Sequence, residues 1–541
     1  MYNGGPFHMF YFPYSDVVKW NEDIIRNDKL CNIRSLHLQQ QGTVGYGKRG
    51  DILDAHILKR GFIFTREGIG MPCLSESNSY SSLSYLNSIV AQYTINLYCE
   101  QHKGNGYVNI LPMPDFALRQ SDIEHIDKDI IDIKRQWFSL DETNLEYHGL
   151  ISQLNISTSV DSALDAIQMQ LAADYNRYQE LVKENDDLWM DLAGIKPDSD
   201  FRKTLNDYKQ RRPYEEMLSI DGASSENVID KKVMAQEIIM ELVGMAFGRW
   251  DSSYAQRKKS IPEFGDVFDA LPFMPVVSLE GNETAFPIPE DGILTNQIDS
   301  PLNLASRVSE VMRVIWNDQA DDIEYELCQM IGCRNLQAWF ENPNGFFDYH
   351  FKRYTKSRRK APIYWPLTSE DGSITYWVYY PKLTKNTLPS LVVRLRQQQE
   401  QLRSTLNAAL TSHDKSKENE VRSTLQQTEK MMEQLNAIIA TGYAPCHDDG
   451  VPVTAAPLYE LFAHRQWRQE CESNMKSLEE GEYDWSHLAM SLYPARITAK
   501  AKKDWCMALT HGLEHLCENK PKEKRSKKKM PEAIQQTLNL E

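Results

Sequence analysis

Residues 350–367 read HFKRYTKSRRKAPIYWPL, and this stretch joins a helical segment to an aromatic strand through a basic turn. Seven basic side chains, counting that of His350, fall within eleven residues, and no carboxylate interrupts them. A cluster this dense repels itself unless an anion lies against it. Clustered Lys and Arg with interleaved aromatic residues are typical of nucleic-acid binding. A solvated turn between a helix and a strand is the alternative interpretation.

The chain continues from this turn into aromatic strands and then into a long helical pattern. Residues 376–383, YWVYYPKL, have strand composition. Residues 388–442 are rich in Gln, Leu and Arg at roughly heptad spacing, which predicts an antiparallel helical hairpin with TSHDKSKENE at its tip. We expect residues 443–518 to form a C-terminal helical domain and residues 519–541 a basic disordered tail.

Upstream of the basic turn the pattern is first mixed and then helical. In residues 1–120, short apolar runs alternate with glycine-rich stretches, GTVGYGKRG and REGIG, which we interpret as turns, and a helix follows over residues 83–97. Residues 121–300 are acidic and begin with helical patterns, one of which ends at a glycine C-cap signal, Gly194. The predicted fold class is therefore α+β and predominantly helical.

Composition limits the classes of function. The chain has 541 residues and a formal net charge of −16, which argues against a protein that coats nucleic acid indiscriminately but permits a segregated basic face. Its nine cysteines contain no CxxC pair, so we expect a reducing, cytoplasmic compartment rather than a disulfide framework. No apolar run approaches the length of a membrane span, so we expect no membrane partner.

Several strings, in order along the chain, resemble one family: the large adenine-N6 DNA methyltransferases of phage-defence systems of the BREX (phage growth limitation) type. Fused restriction–modification enzymes are relatives of that family. The similarity covers about residues 10–517 and matches the target-recognition domain and the helical C-terminal region. The strings that carry it are RGFIFTREGIGMPC, YLNSIVAQYTINLYCEQHKGNGYVNILPMPD, MELVGMAFGRWD, FKRYTKSRRKAPIYWPLTSEDGSITYWVYYPKLTKNTL, CHDDGVPVTAAPLYELFAHRQW, EGEYDWSHLAMSLYPARI and LTHGLEHL.

The catalytic half of that family has no counterpart in this sequence. The family's enzymes carry a glycine-rich S-adenosyl-L-methionine loop and an N-P-P-Y-type tetrapeptide that holds the flipped adenine. This chain has neither N-P-P-Y, D-P-P-Y nor S-P-P-Y, so we expect no cofactor here and no methyl transfer by the chain alone. The resemblance implies double-stranded DNA as a partner. It also implies a separate catalytic methyltransferase subunit or other defence-system proteins.

The resemblance divides the chain into a DNA-reading part and a DNA-gripping part. Residues 1–120 would be the target-recognition domain, 121–300 an acidic helical connector, and 301–387 a basic helix-turn-strand region that contacts DNA. Base-edge readout is assigned to loop residues, and phosphate contact to the basic cluster. The base-reading candidates are Arg34, Lys48, Arg49 and Arg66, and the phosphate-binding candidates are Lys352, Arg353, Lys356, Arg358, Arg359 and Lys360.

Other chemistry is weakly indicated. His511 and His515 have the spacing of metal ligands on a helix, although a packed polar face is the preferred interpretation. The string His447-Asp448-Asp449 could bind a divalent cation, but we favour a helix-entry turn in which Asp caps backbone amides. Two alternative functions stay open: an intact methyltransferase or nuclease with a divergent site, and a non-enzymatic scaffold protein of a defence complex.

Overall fold

The protein is described here by a computed structural model that covers residues 2–520, except for 6, 13–16, 19, 28–34, 74, 100, 157–158, 210–228, 281–283 and 357–358. Helix accounts for 57% of the structure and strand for 8%, and the strands form small sheets. The predicted fold class, α+β and predominantly helical, is confirmed. Most of the predicted tail, residues 521–541, lies outside the described residues.

The strands form two three-stranded antiparallel sheets and one two-stranded hairpin. The first sheet has the order β2-β1-β3, the second β4-β8-β7, and β5 pairs with β6. The strands are β1 Thr43–Gly47, β2 His56–Leu58, β3 Gly68–Met71, β4 Ile293–Thr295, β5 Thr355–Lys356, β6 Arg359–Lys360, β7 Tyr364–Thr368 and β8 Thr375–Tyr379.

The glycine-rich stretches of the first sheet are strands, so our prediction of turns there was wrong. Glycine is needed in these strands because neighbouring groups occupy the space that a Cβ atom would take. A Cβ on Gly45 would lie 2.6 Å from Leu58 Cδ1, and one on Gly70 would lie 2.4 Å from the Phe64 ring. Close packing of this kind is one of the uses of glycine within a strand.

The described α-helices of the first half are α1 Glu22–Asn27, α2 Glu76–Asn87, α3 Ile89–Tyr98, α4 Asn105–Val108, α5 Gln120–Phe138, α6 Leu150–Gln153, α7 Val160–Leu192, α8 Asp200–Lys209, α9 Lys231–Phe247 and α10 Ser252–Ala255. Among these helices, α2 packs on the first sheet, and α6 and α7 pack on α9. The helix predicted over residues 83–97 is two helices, because Ser88 adopts an extended conformation and its hydroxyl caps the amide of Ala91.

The described α-helices of the second half are α11 Leu304–Trp316, α12 Ala320–Ile331, α13 Leu336–Glu341, α14 Phe346–Arg353, α15 Thr387–Thr411, α16 Lys415–Ala440, α17 Val451–Ala455, α18 Arg465–Glu480, α19 His487–Leu492, α20 Pro494–Ala501 and α21 Trp505–Thr510. Among these helices, α11, α12 and α14 pack on α9, and α14 also packs on β7 of the second sheet. The predicted helical hairpin is confirmed as α15 and α16. Its turn is shorter than we predicted, because residues 415–420 continue as helix.

One hydrophobic core runs through most of the molecule. Buried apolar side chains form a continuous cluster from Met9 to Ile497, and α9 is buried around nearly its whole circumference. A helix that is apolar on all faces is typical of a central position in a large protein. The division of the chain into six segments stays a prediction. Among the described helices, none has the length and apolarity that a membrane crossing requires.

Candidate nucleic-acid interface

The basic cluster is divided between the interior and the surface. Arg353, at the end of α14, is 13% exposed and bonds to two carboxylates from distant parts of the chain. Its guanidinium lies 2.6 Å from Asp141 Oδ1 and 2.6 Å from Glu237 Oε1. The guanidinium of Arg353 is thus already paired with acidic groups inside the protein, which argues against our assignment of this residue to DNA phosphate.

A second buried pair lies beside the first. Arg249, just after α9, donates to Glu142 Oε1 over 3.0 Å, and Tyr354 donates to the same oxygen over 2.6 Å. Burial raises the pKa of Glu237 to about 7, and the positive charge of Arg353 opposes that rise. Buried ion pairs of this kind require good geometry, because each charge has lost its hydration. This network is a structural joint between α9, α14 and residues 141–142.

Two further members of the cluster bond to carboxylates at the surface. Lys352, which is 67% exposed, lies 2.7 Å from Asp348 one helical turn earlier. Lys360 lies 2.6 Å from Glu470 on α18. Exposed pairs of this kind contribute at most about 1 kcal/mol and are screened by salt. Lys352 therefore stays available to an external anion, whereas Lys360 mainly ties β6 to α18.

The short β5–β6 hairpin presents the remaining charge to solvent. Lys356 and Arg359 are cross-strand partners in the register, and both are exposed. Side chains directly opposite each other stand on the same face of a hairpin, so two cationic side chains lie side by side here. We call Lys352, Lys356 and Arg359 the basic face, and Arg358 lies outside the described residues.

Three of the four base-reading candidates lie together at one end of the first sheet. Glu67 lies 3.6 Å from Lys48 and 2.8 Å from Arg49, and Arg66 precedes Glu67 in the chain. Arg49 is 71% exposed, and Arg66 is exposed and makes no ion pair with any described residue. Sequence reasoning missed Glu67 as a shared partner, although it stands in the quoted REGIG string. Arg34 lies outside the described residues.

The aromatic residues after the basic turn build the second sheet. Trp365 and Trp377 are 0% and 1% exposed, and the Nε1 atoms of both donate hydrogen bonds inside the protein. The aromatic side chains of β7 and β8 are buried and therefore pack inside the protein. The described parts of these strands therefore offer no exposed tryptophan on which a base could stack.

The histidine candidates separate into different roles. His511 follows α21, and Gly512, with φ of +66°, turns the chain before His515. The two histidines therefore do not share one helix, and our prediction that they do was wrong. His447 lies with Nε2 2.9 Å from the carbonyl oxygen of Tyr380. Asp449 caps the backbone amides of His487 and Leu488 at the start of α19. Residues 447–449 do form a turn that leads into α17, but neither that turn nor α17 has a side-chain cap, so the amides that Asp449 caps belong to α19 and not to the helix that we predicted.

Comparison with known protein families finds none that matches this chain, and no curated protein matches it either.

Proposed function

We propose that this chain is the DNA-recognition part of a site-specific adenine-N6 DNA methyltransferase of a phage-defence system, and that a separate subunit supplies catalysis. The observation that carries the proposal is the pairing of Lys356 with Arg359 on one exposed face of the β5–β6 hairpin. This hairpin lies within the longest string that resembles the family. Two exposed cations side by side suit contact with a polyanion, and duplex DNA is the polyanion that the resemblance implies.

The two basic regions would have different tasks. The basic face would contact phosphates, which positions the protein but carries no information about sequence. Lys48, Arg49 and Arg66 would approach base edges, where Arg pairs bidentately with guanine. In this arrangement Arg49 pairs with Glu67, whereas Arg66 makes no ion pair with any described residue.

A scaffold function is the second candidate, and one observation favours it. Within the basic cluster, Lys352, Arg353 and Lys360 each bond to a carboxylate of the protein itself. Internal neutralisation of this kind is what a non-enzymatic interaction protein would show. The scaffold hypothesis expects no affinity of the chain for DNA even at low salt, so a binding measurement separates the two candidates.

The purified chain should bind duplex DNA at low salt but transfer no methyl groups by itself. The physical reason is that no N-P-P-Y-type tetrapeptide is present to hold a flipped adenine. Electrophoretic mobility shifts and tritiated methyl transfer from S-adenosyl-L-methionine measure the two activities on the same preparation. Absence of binding at low salt would favour the scaffold hypothesis. Methyl transfer by the chain alone, or its crosslinking to S-adenosyl-L-methionine, would favour an intact enzyme with a divergent site.

Arg66→Ala should relax the methylated site at one base pair once a catalytic subunit is supplied. A bidentate Arg–guanine contact contributes about 1–3 kcal/mol of discrimination, while non-specific affinity should change little. Sequencing-based methylation mapping measures the effect. Arg60→Ala is a matched control in the same domain, because Arg60 is half-exposed and pairs with Glu76 and Asp269. An unchanged motif in the Arg66 variant would remove this arginine from the readout.

A further inference from the structure

Three metal-binding side chains converge between the 447–449 turn and the start of α19. The Cys446 sulfur, an Asp448 carboxylate oxygen and a ring nitrogen of His487 all lie within 4.8 Å of one another. Cys446 is half-buried, the His487 side chain is 40% exposed, and Asp448 is exposed. The proposed DNA function uses none of these residues.

The turn that carries two of these groups is fixed by hydrogen bonds of its own. The carbonyl oxygen of Cys446 accepts from the amide of Asp449 over 3.1 Å and from Thr454 Oγ1 over 3.1 Å. His447 lies with Nε2 2.9 Å from the carbonyl oxygen of Tyr380 in the second sheet. The backbone of the turn that carries Cys446 and Asp448 is therefore tied to α17 and to the second sheet.

Asp449 fixes the third group. Its side chain is 1% exposed, and it accepts from the amides of His487 and Leu488 over 2.8 Å each. The same carboxylate lies 3.2 Å from Nδ1 of His487, which restricts the orientation of the imidazole ring. Metal-binding histidines are commonly oriented by a neighbouring carboxylate in this way. Buried Asp449 therefore fixes the orientation of His487 before any ion binds.

The donor types select the ion. A thiolate, an imidazole and a carboxylate suit Zn²⁺, whereas Mg²⁺ and Ca²⁺ prefer oxygen ligands alone. Three protein ligands leave the fourth position of a tetrahedral site for solvent, and Asp448 is exposed. The nearby His511 has Nε2 2.7 Å from the carbonyl oxygen of Asp484, so we do not count it as a ligand.

We propose that Cys446, Asp448 and His487 bind one Zn²⁺ ion, with a solvent molecule as the fourth ligand. The ion would link the turn before α17 to α19. It would also stabilise the folded state, since a ligand that binds only the native form raises its stability. This proposal is independent of DNA binding.

The test is zinc binding by the full-length chain after removal of metal and re-addition of Zn²⁺. We expect one bound equivalent by elemental analysis. Co²⁺ in place of Zn²⁺ should give the visible absorption of a thiolate-ligated tetrahedral site. Cys446→Ser and His487→Gln should each weaken Zn²⁺ binding by more than about 100-fold, and Asp449→Asn, which only positions His487, by about 10–100-fold. Cys73→Ser is the control, because Cys73 is also half-buried and lies far away in sequence.

Thermal melting separates loss of the site from loss of the fold. Without metal, the Cys446→Ser variant should melt like the wild type. Added Zn²⁺ should raise the melting temperature of the wild type and of Cys73→Ser, but not of Cys446→Ser. Zn²⁺ binding that is absent in the wild type, or that is equally tight in Cys446→Ser, would overturn the proposal.

Discussion

Arg353→Ala should lower the free energy of unfolding by about 3–5 kcal/mol, which is typical when one partner of a buried ion pair is removed. The guanidinium of Arg353 compensates Glu237, which is 4% exposed, and Asp141 from a second part of the chain. Without it, both carboxylates keep the cost of their burial and lose their counterion. Lys352→Ala, in the neighbouring residue, removes only an exposed pair and should change stability by about 0.5 kcal/mol or less.

The loss of stability of the Arg353→Ala variant relative to the wild type should increase as the pH rises. Burial already raises the pKa of Glu237 to about 7, and Arg353 holds it down, so the variant should have a higher pKa still. For an acid whose pKa is raised in the folded state, stability is greatest below the unfolded value and is lost as pH rises toward the folded value. Denaturant unfolding at pH 5 and pH 8 should therefore show the larger loss at pH 8. Equal unfolding of the Arg353 and Lys352 variants would mean that the buried pair adds no stability.

The triple variant Lys352→Ala, Lys356→Ala and Arg359→Ala should weaken DNA binding about equally for all sequences. Each neutralised phosphate contributes roughly 0.9 to the slope of log affinity against log salt, so the slope should become shallower by about 2.7 if all three engage. Arg353 is omitted, since its removal would disturb the fold. Fluorescence anisotropy over a salt series, with two unrelated duplexes, measures both the slope and its independence of sequence.

A second triple variant controls for net charge. Arg313, Arg403 and Lys430 are exposed and lie on α11 and the α15–α16 hairpin, and their substitution by alanine changes the formal charge by the same amount. We expect this variant to keep the slope of the wild type. If both triple variants alter the slope equally, overall charge rather than the basic face determines binding.

The sequence predicted the helices better than the strands. Helix ends have local signals, as at Gly194 and at Asp230, whose carboxylate caps α9. The strands of the first sheet have no comparable local signal. Their glycines are required because another segment of the chain comes close, and the local sequence pattern does not show which segment that is. The break at Ser88 was missed because the apolar spacing continues across it.

The candidate site was predicted only in part, for a related reason. A run of basic residues indicates charge but not the location of the carboxylates that meet it. The partner of Arg353 on α9 is 116 residues away, and that of Lys360 is 110 residues away. Local sequence therefore predicted the charged region but could not separate Arg353, which stabilises the interior, from Lys356 and Arg359, which face solvent.

The two ion pairs of Arg353 also limit how this polypeptide can be divided into fragments for expression. The two counterions of Arg353 come from residues 141 and 237, so the native ion pairs of the basic turn require both earlier segments. During synthesis on the ribosome, the segments that carry those carboxylates emerge before the arginine. A recombinant fragment that starts near residue 301 would carry the arginine without either counterion. Boundaries for expressing pieces of this protein should therefore keep residues 141–353 on one chain.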